Sequence, residues 1–106
     1  MWVVNGTNLQ MAEGDYGISL PITVHGTELG GNDSLNVTIK TRKNGETILE
    51  KNYSDIEDNT VELELTQTES AKLPVGVYVY SLDWYQNGIF MCNIVLCSLF
   101  KVVDKA

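Results

Sequence analysis

The residues able to do chemistry are few. His25 is the only histidine in the chain, and it stands at the end of a predicted strand, before Gly26. No serine or cysteine sits in a nucleophile elbow for it to activate. Cys92 and Cys97 share one predicted strand, where their spacing would separate them by roughly 16 Å. A disulfide needs Cα atoms within about 7 Å, so the two read as reduced thiols in core or half-buried positions. Leu29-Gly30-Gly31-Asn32-Asp33 is glycine-rich, but no Lys-Ser/Thr and no helix follow it, so it makes no phosphate cradle. Asp55, Glu57, Asp58 and Asn59 offer hard oxygen atoms to Ca²⁺. They lack the glycine and the distal glutamate of an EF-hand, and read as a solvated acidic loop. Trp2, Tyr53, Trp84 and Tyr85 are the aromatics from which a sugar-binding platform would be built. Of these, Trp84 is in phase with Tyr78 and Leu82 and reads as core, whereas Tyr85 points the other way. No base, nucleophile and metal-ligand set comes together, so the expectation is a non-enzymatic protein with no cofactor and no metal.

Composition narrows the partners. The 106 residues carry seven basic and fourteen acidic side chains, for a formal charge of -7. That balance argues against phosphate-backbone binding and against an anionic membrane surface, both of which need clustered Lys and Arg. Hydrophobic residues at 43% and charged residues at 20% are those of an ordinary globular chain. The opening Met1-Trp2-Val3-Val4-Asn5-Gly6 has no basic region followed by an apolar one, so no secretory signal is expected. The most apolar stretch, residues 89–103, is shorter than the roughly 20 residues a bilayer-spanning helix needs and reads as a buried strand. Four Asn-x-Ser/Thr sequons, at Asn5, Asn32, Asn36 and Asn52, are expected to be inert without such a signal.

Strand signals must therefore do the positioning. Tyr16, Ile18, Leu20, Ile22 and Val24 alternate with small or polar residues, and Pro21 marks that strand as an edge or a bulge. Leu35, Val37 and Ile39 alternate as cleanly, and Asn44-Gly45 predicts a type I′ hairpin turn into the next strand. Val61, Leu63 and Leu65 follow. Thr66-x-x-Glu69 is a capping box for one short helical turn near residues 67–72, stopped by Pro74. Tyr78, Tyr80, Leu82 and Trp84 then share one face of a strand. Gln86-Asn87-Gly88 makes a second turn into the long last strand, where a bulge is expected near Asn93 or Ser98. Residues 1–11 carry no assignable strand.

About seven or eight strands at this spacing indicate an all-β protein, an Ig-like antiparallel β-sandwich formed by residues 1–106 as a single domain. Leu73-Pro74-Val75-Gly76-Val77-Tyr78 looks like the approach to strand F of such a sandwich, with Gly76 and Tyr78 forming a tyrosine corner. Tyr80 takes the place where antibody domains put the second disulfide cysteine, so the core must hold the sheets together unaided.

The order of these motifs resembles small phage virion proteins, in particular the N-terminal domain family of the phage baseplate upper protein. Glu13-Gly14-Asp15-Tyr16 matches the glycine-aspartate that feeds an alternating strand in that family. Residues 35–51 match its middle strand and hairpin, and residues 73–103 match its corner, tyrosine-rich strand, turn and long final strand. The chain departs from the pattern in having Tyr16 where threonine usually follows, and Val75 between Pro74 and Gly76. The resemblance implies a structural component of a tailed phage or prophage virion, in the baseplate, the tail or a capsid-decorating or head-fibre position. Its partners would be other virion structural proteins in a homo-oligomeric or otherwise symmetric assembly, with neither nucleic acid nor membrane.

The last strand is apolar on both faces, with Met91, Val95, Leu99 and Val103 opposite Phe90, Ile94, Leu96 and Phe100, a pattern that suits a subunit neighbour or a doubly covered central strand. Met91, Val95 and Leu99, with Trp2 and Val4 at the start of the chain, are the candidate interface residues. The alternative expectation is a cell-surface Ig-like adhesion module that binds a glycan or protein receptor through Tyr53 and Tyr85.

Overall fold

A computed structural model describes residues 2–104. Its strands are β1 (Val3–Asn5), β2 (Asn8–Ala12), β3 (Leu20–Thr23), β4 (Asp33–Lys40), β5 (Thr47–Tyr53), β6 (Thr60–Leu63), β7 (Gly76–Gln86) and β8 (Ile89–Val103), with one helical turn, α1 (Gln67–Ser70), before β7. Six strands form one sheet in the order β1-β2-β8-β7-β4-β5, and β3 and β6 form the other. From β3 onward these take the places of B, C, C′, E, F and G in an Ig-like sandwich, with G-F-C-C′ facing B-E.

Period-two alternation decides which face each strand buries. Leu35, Val37 and Ile39 of β4, Tyr78, Tyr80 and Leu82 of β7, and Val61 and Leu63 of β6 are all buried. Leu9 and Met11 of β2 with Phe100 and Val102 of β8 complete the inner face. Leu65 and Leu73, on either side of α1, are buried with them. The capping box holds that turn: Thr66 Oγ1 accepts the Glu69 N–H at 3.1 Å, and Glu69 Oε1 accepts the Thr66 N–H at 2.9 Å. Lys51 on β5 reaches the same Glu69 oxygen at 2.9 Å.

Several expectations are corrected. Pairing is not antiparallel throughout, because β2 runs parallel to β8 over Leu9↔Phe100 to Ala12↔Val103. The alternation beginning at Tyr16 forms a strand only from Leu20; Tyr16 and Ile18 are exposed, since β6 ends opposite Leu20 at Leu63. Asn44-Gly45 does not form a type I′ turn: Asn44 has φ 61°, but Gly45 lies outside the positive-φ region. Gly45 is needed for closeness instead, as a Cβ there would sit 2.9 Å from the Arg42 carbonyl oxygen and against Thr41 Oγ1. Asn87-Gly88 does have both φ angles positive, 52° and 78°, as a two-residue turn between paired Gln86 and Ile89 requires.

Pro21 is explained by its side of the ladder. Val24 N–H donates to the Asn59 carbonyl, and by the two-residue alternation Ile22↔Val61 and Leu20↔Leu63 are also hydrogen-bonded pairs. The Pro21 nitrogen therefore faces away from β6, where no N–H is missed.

Polar side chains fasten the loops. The Tyr78 hydroxyl donates to the Pro74 carbonyl at 2.6 Å. Gly76 packs beside the ring, yet a Cβ there would meet it at an ordinary 3.7 Å, so the corner does not demand glycine. Asp33 accepts the Gly30 N–H at 2.7 Å and the Trp84 indole N–H at 2.9 Å. Asn59, at φ 56°, accepts the Leu29 N–H and donates to the Val24 and Thr27 carbonyls. Charge is divided along the strands. Arg42 and Lys43 occupy the turn between β4 and β5, whereas Glu28, Asp55, Glu57 and Asp58 lie in the loops at the other end.

Two tests follow from these anchors. Tyr78→Phe should cost about 1 kcal/mol and lower Tm by about 4–8 °C, read by thermal circular dichroism; an unchanged Tm would mean the hydroxyl does not hold the corner. The Gly30 N–H, then the Trp84 indole, hold the Asp33 carboxyl below the ordinary Asp range. A depressed folded-state pKa means the stabilisation is complete above the unfolded value, about 3.9, and is lost as pH falls through the folded one. Tryptophan fluorescence should thus show an acid transition below about pH 4 that is absent in Asp33→Asn.

Candidate subunit interface

The strands at the centre of the large sheet differ in length, and the mismatch shapes the surface. β7 has 11 residues and β8 has 15. Of that difference, Val103 runs past the start of β7, and the ladder absorbs the other three residues through register shifts, opposite Tyr80/Leu82, Leu82/Asp83 and Trp84/Tyr85. Each adds one residue to β8, so the bulges fall at Met91, at Ile94 and in the pair Leu96 and Cys97, where Cys97 has φ 55°. A one-residue slip reverses the faces of everything beyond it.

The candidates from sequence are thereby separated. Leu99 pairs with Val79 on the outer face, Val95 pairs with inward-facing Leu82, and Met91 is itself a bulge residue. Met91, Leu99 and Val4 are exposed, whereas Val95 and Trp2 are partly buried against the core. Val95 and Trp2 are therefore less exposed than the other three candidates. The Trp2 ring stands edge-on to Phe100 with centroids 5.7 Å apart, and its indole N–H donates to the Ile18 carbonyl at 2.9 Å. It closes the core.

Bulging brings other side chains out. Ile89, Phe90, Met91 and Cys92 are four consecutive exposed residues, Leu96 is 69% exposed, and Val77 on the neighbouring strand is 60% exposed. Phe90 packs edge-on against Tyr85, 5.7 Å between centroids. Residues 89–100 carry no charge, in a chain of -7. Runs of exposed apolar residues are uncommon unless something binds them.

The same segment has an open side. β2 covers β8 only from Phe100 to Val103. The β1–β2 turn docks just beyond: Asn8 Oδ1 accepts the Leu99 N–H at 3.1 Å, Thr7 Oγ1 and Ser98 Oγ lie 2.7 Å apart, and the Tyr80 hydroxyl donates to the Thr7 carbonyl. Among the described residues, 89–98 have β7 on one side and no strand on the other. Beneath this edge runs an apolar groove of about 280 Å³, floored by Tyr80 and Leu82 and walled by Val4, Leu20, Ile22, Val24, Ile94 and Val95.

The remaining chemistry stays dispersed. His25 is exposed, and Asn59 spends its side chain on backbone groups of the neighbouring loop. Among the described residues no three His, Cys, Asp or Glu side chains converge on a metal position. Cys92 is exposed and Cys97 half-buried, both free; Cys92 leaves the core because bulging exposes the hairpin end. Trp84 is partly buried against the core. Tyr53 pairs with inward-facing Leu35 and Tyr85 with outward-facing Ser34, so the two aromatics lie on opposite faces and form no common platform.

Sequence reading missed the exposure of Ile89, Phe90 and Leu96 along one uncharged segment, and the groove altogether. The lack of charge across residues 89–100 was the available signal, as was Gly6-Thr7, with glycine first, for the two-residue turn between paired Asn5 and Asn8 that ends one side of the groove. No family model, curated protein or solved structure matches the chain.

Exposure separates the two roles experimentally. Leu96→Asp should leave stability within about 0.5 kcal/mol, whereas Val95→Asp should lose more, roughly 1–2 kcal/mol, by setting a carboxylate against the half-buried wall of the groove. Urea unfolding of both variants checks this, and equal losses would refute the division.

Proposed function

We propose that this chain is a non-enzymatic structural subunit that binds other subunits through the uncharged, open-sided segment of β8. That segment carries the reading. Ten residues of β8 have a strand on one side only, with apolar side chains exposed beside them. Such an edge is a liability that chains in solution blunt with charge, proline or bulges; this one has bulges but neither charge nor proline, so its apolar side chains stay uncovered. The order of motifs, with its likeness to the phage baseplate upper protein N-terminal domain, supports a tailed phage or prophage virion as the setting. The partners are then other virion structural proteins in a symmetric assembly, and the protein functions by contact, without nucleic acid or membrane.

Peptide mass spectrometry on gradient-purified virus particles from the source culture, beside an envelope wash of the same cells, tests the setting. Enrichment in particles at tens to hundreds of copies is the expected result. Recovery from the envelope wash alone would overturn the virion reading.

A further inference from the structure

The open side of β8 has a shape that selects its occupant. In an Ig-like sandwich the first strand belongs to the same sheet as B. Here the chain turns back at Gly6, so β1 pairs with β2 and β3 has a neighbour only in β6. The slot between β3 and residues 89–98 of β8 is left without a strand, and the apolar groove lies in it.

We infer that this slot receives an extended β-strand from a different subunit, added to the β8 edge with alternate apolar side chains seated in the groove. The inference rests on the subunit-binding reading and specifies its mode. Three observations choose this occupant. First, the edge supplies backbone N–H and C=O groups with no strand opposite them, and a strand is the partner that satisfies such a row. Second, the groove is walled by branched apolar side chains, Leu20, Ile22, Val24, Ile94 and Val95, which suit the alternate side chains of an added strand. Third, the bulges at Met91, Ile94 and Leu96/Cys97 break the flat repeat along which two β8 edges would zip together. A second copy of β8 is thus a poor fit, and a short strand anchored by its side chains is a good one.

Hydrogen bonding falls to β8 and not to β3. The free edge of β3 lacks a donor at Pro21, whose nitrogen faces the slot, so β3 contributes side chains alone. No charged residue lines the groove. The inserted stretch is accordingly uncharged, with branched apolar residues at alternate positions, and basic flanks suit a chain of -7.

A peptide probe tests this directly. Acetyl-Lys-Thr-Val-Thr-Ile-Thr-Val-Thr-Lys-amide is titrated into the isotope-labelled protein and followed by backbone and methyl NMR. The expected result is saturable shifts at Leu20, Ile22, Ile94 and Val95, with amide exchange slowed in residues 89–98. Two further peptides, N-methylated on one backbone edge or on the other, separate strand addition from simple apolar contact. One of them should bind at least tenfold more weakly.

Equal binding by both methylated peptides would overturn the inference, as would shifts confined to Asp55, Glu57 and Asp58. So would the absence of binding at millimolar peptide, or protection of residues 89–98 that rises with protein concentration alone. Recovery from virus particles with a failed titration would remove strand addition and leave the virion reading intact. A positive titration with no recovery from particles would do the reverse.

Discussion

A two-stranded sheet cannot cover the inner face of a six-stranded one. At about 4.8 Å between strands, β3 and β6 screen only a fraction of the surface that Leu9, Met11, Leu35, Val37, Ile39, Tyr78, Tyr80, Leu82 and Phe100 present. The remaining cover comes from elsewhere in the chain. Trp2 lies over Phe100, Leu65 and Leu73 bracket α1, and Leu29 and Ile56 turn in from loops. This shortage of sheet explains why so much apolar weight rests on short or irregular segments. It also explains the groove, where the cover stops short of Ile94 and Val95.

Loops that carry core residues must be held in place, and no disulfide does so, since both cysteines are free. Polar side chains take that task. Asn59 joins the β5–β6 loop to the one after β3, Asp33 joins that same loop to β7, Lys51 and Glu69 join β5 to α1, and Tyr78 closes on Pro74. The bonds of Asn59, Asp33 and Tyr78 each satisfy a backbone or indole group that would otherwise be left without a partner, which makes removing them costlier than their net contribution suggests.

Local regularity was legible in the sequence; partner choice was not. The alternations at Leu35, Val37 and Ile39 and at Tyr78, Tyr80 and Leu82, the Thr66/Glu69 capping box and the Asn87-Gly88 turn are features whose period or spacing spans a few residues. The parallel pairing of β2 with β8 joins residues some ninety apart, and no local period announces it. Asn44-Gly45 misled because turn type also depends on where the strands end: Lys40 pairs with Thr47 and the Thr41 N–H donates to the Glu46 carbonyl, so the connection closes over residues 42–45 and not over two. For the candidate interface, strict alternation along β8 placed Met91, Val95 and Leu99 on one face. Three single-residue bulges, countable only once β7 is known as the partner, scatter them between faces and bring Leu96 out.

The division of charge along the strands has a consequence of its own. Arg42, Lys43 and Glu46 lie in the turn at one end of β5 and Asp55, Glu57 and Asp58 beyond the other, so the second end of that strand is the more negative. A free copy nearing a charged surface experiences a torque before it experiences contact, and it rotates to present one end first. At physiological ionic strength that torque acts only within about 8 Å, the last stage of approach. Dilution of salt lengthens the reach over which such a torque acts.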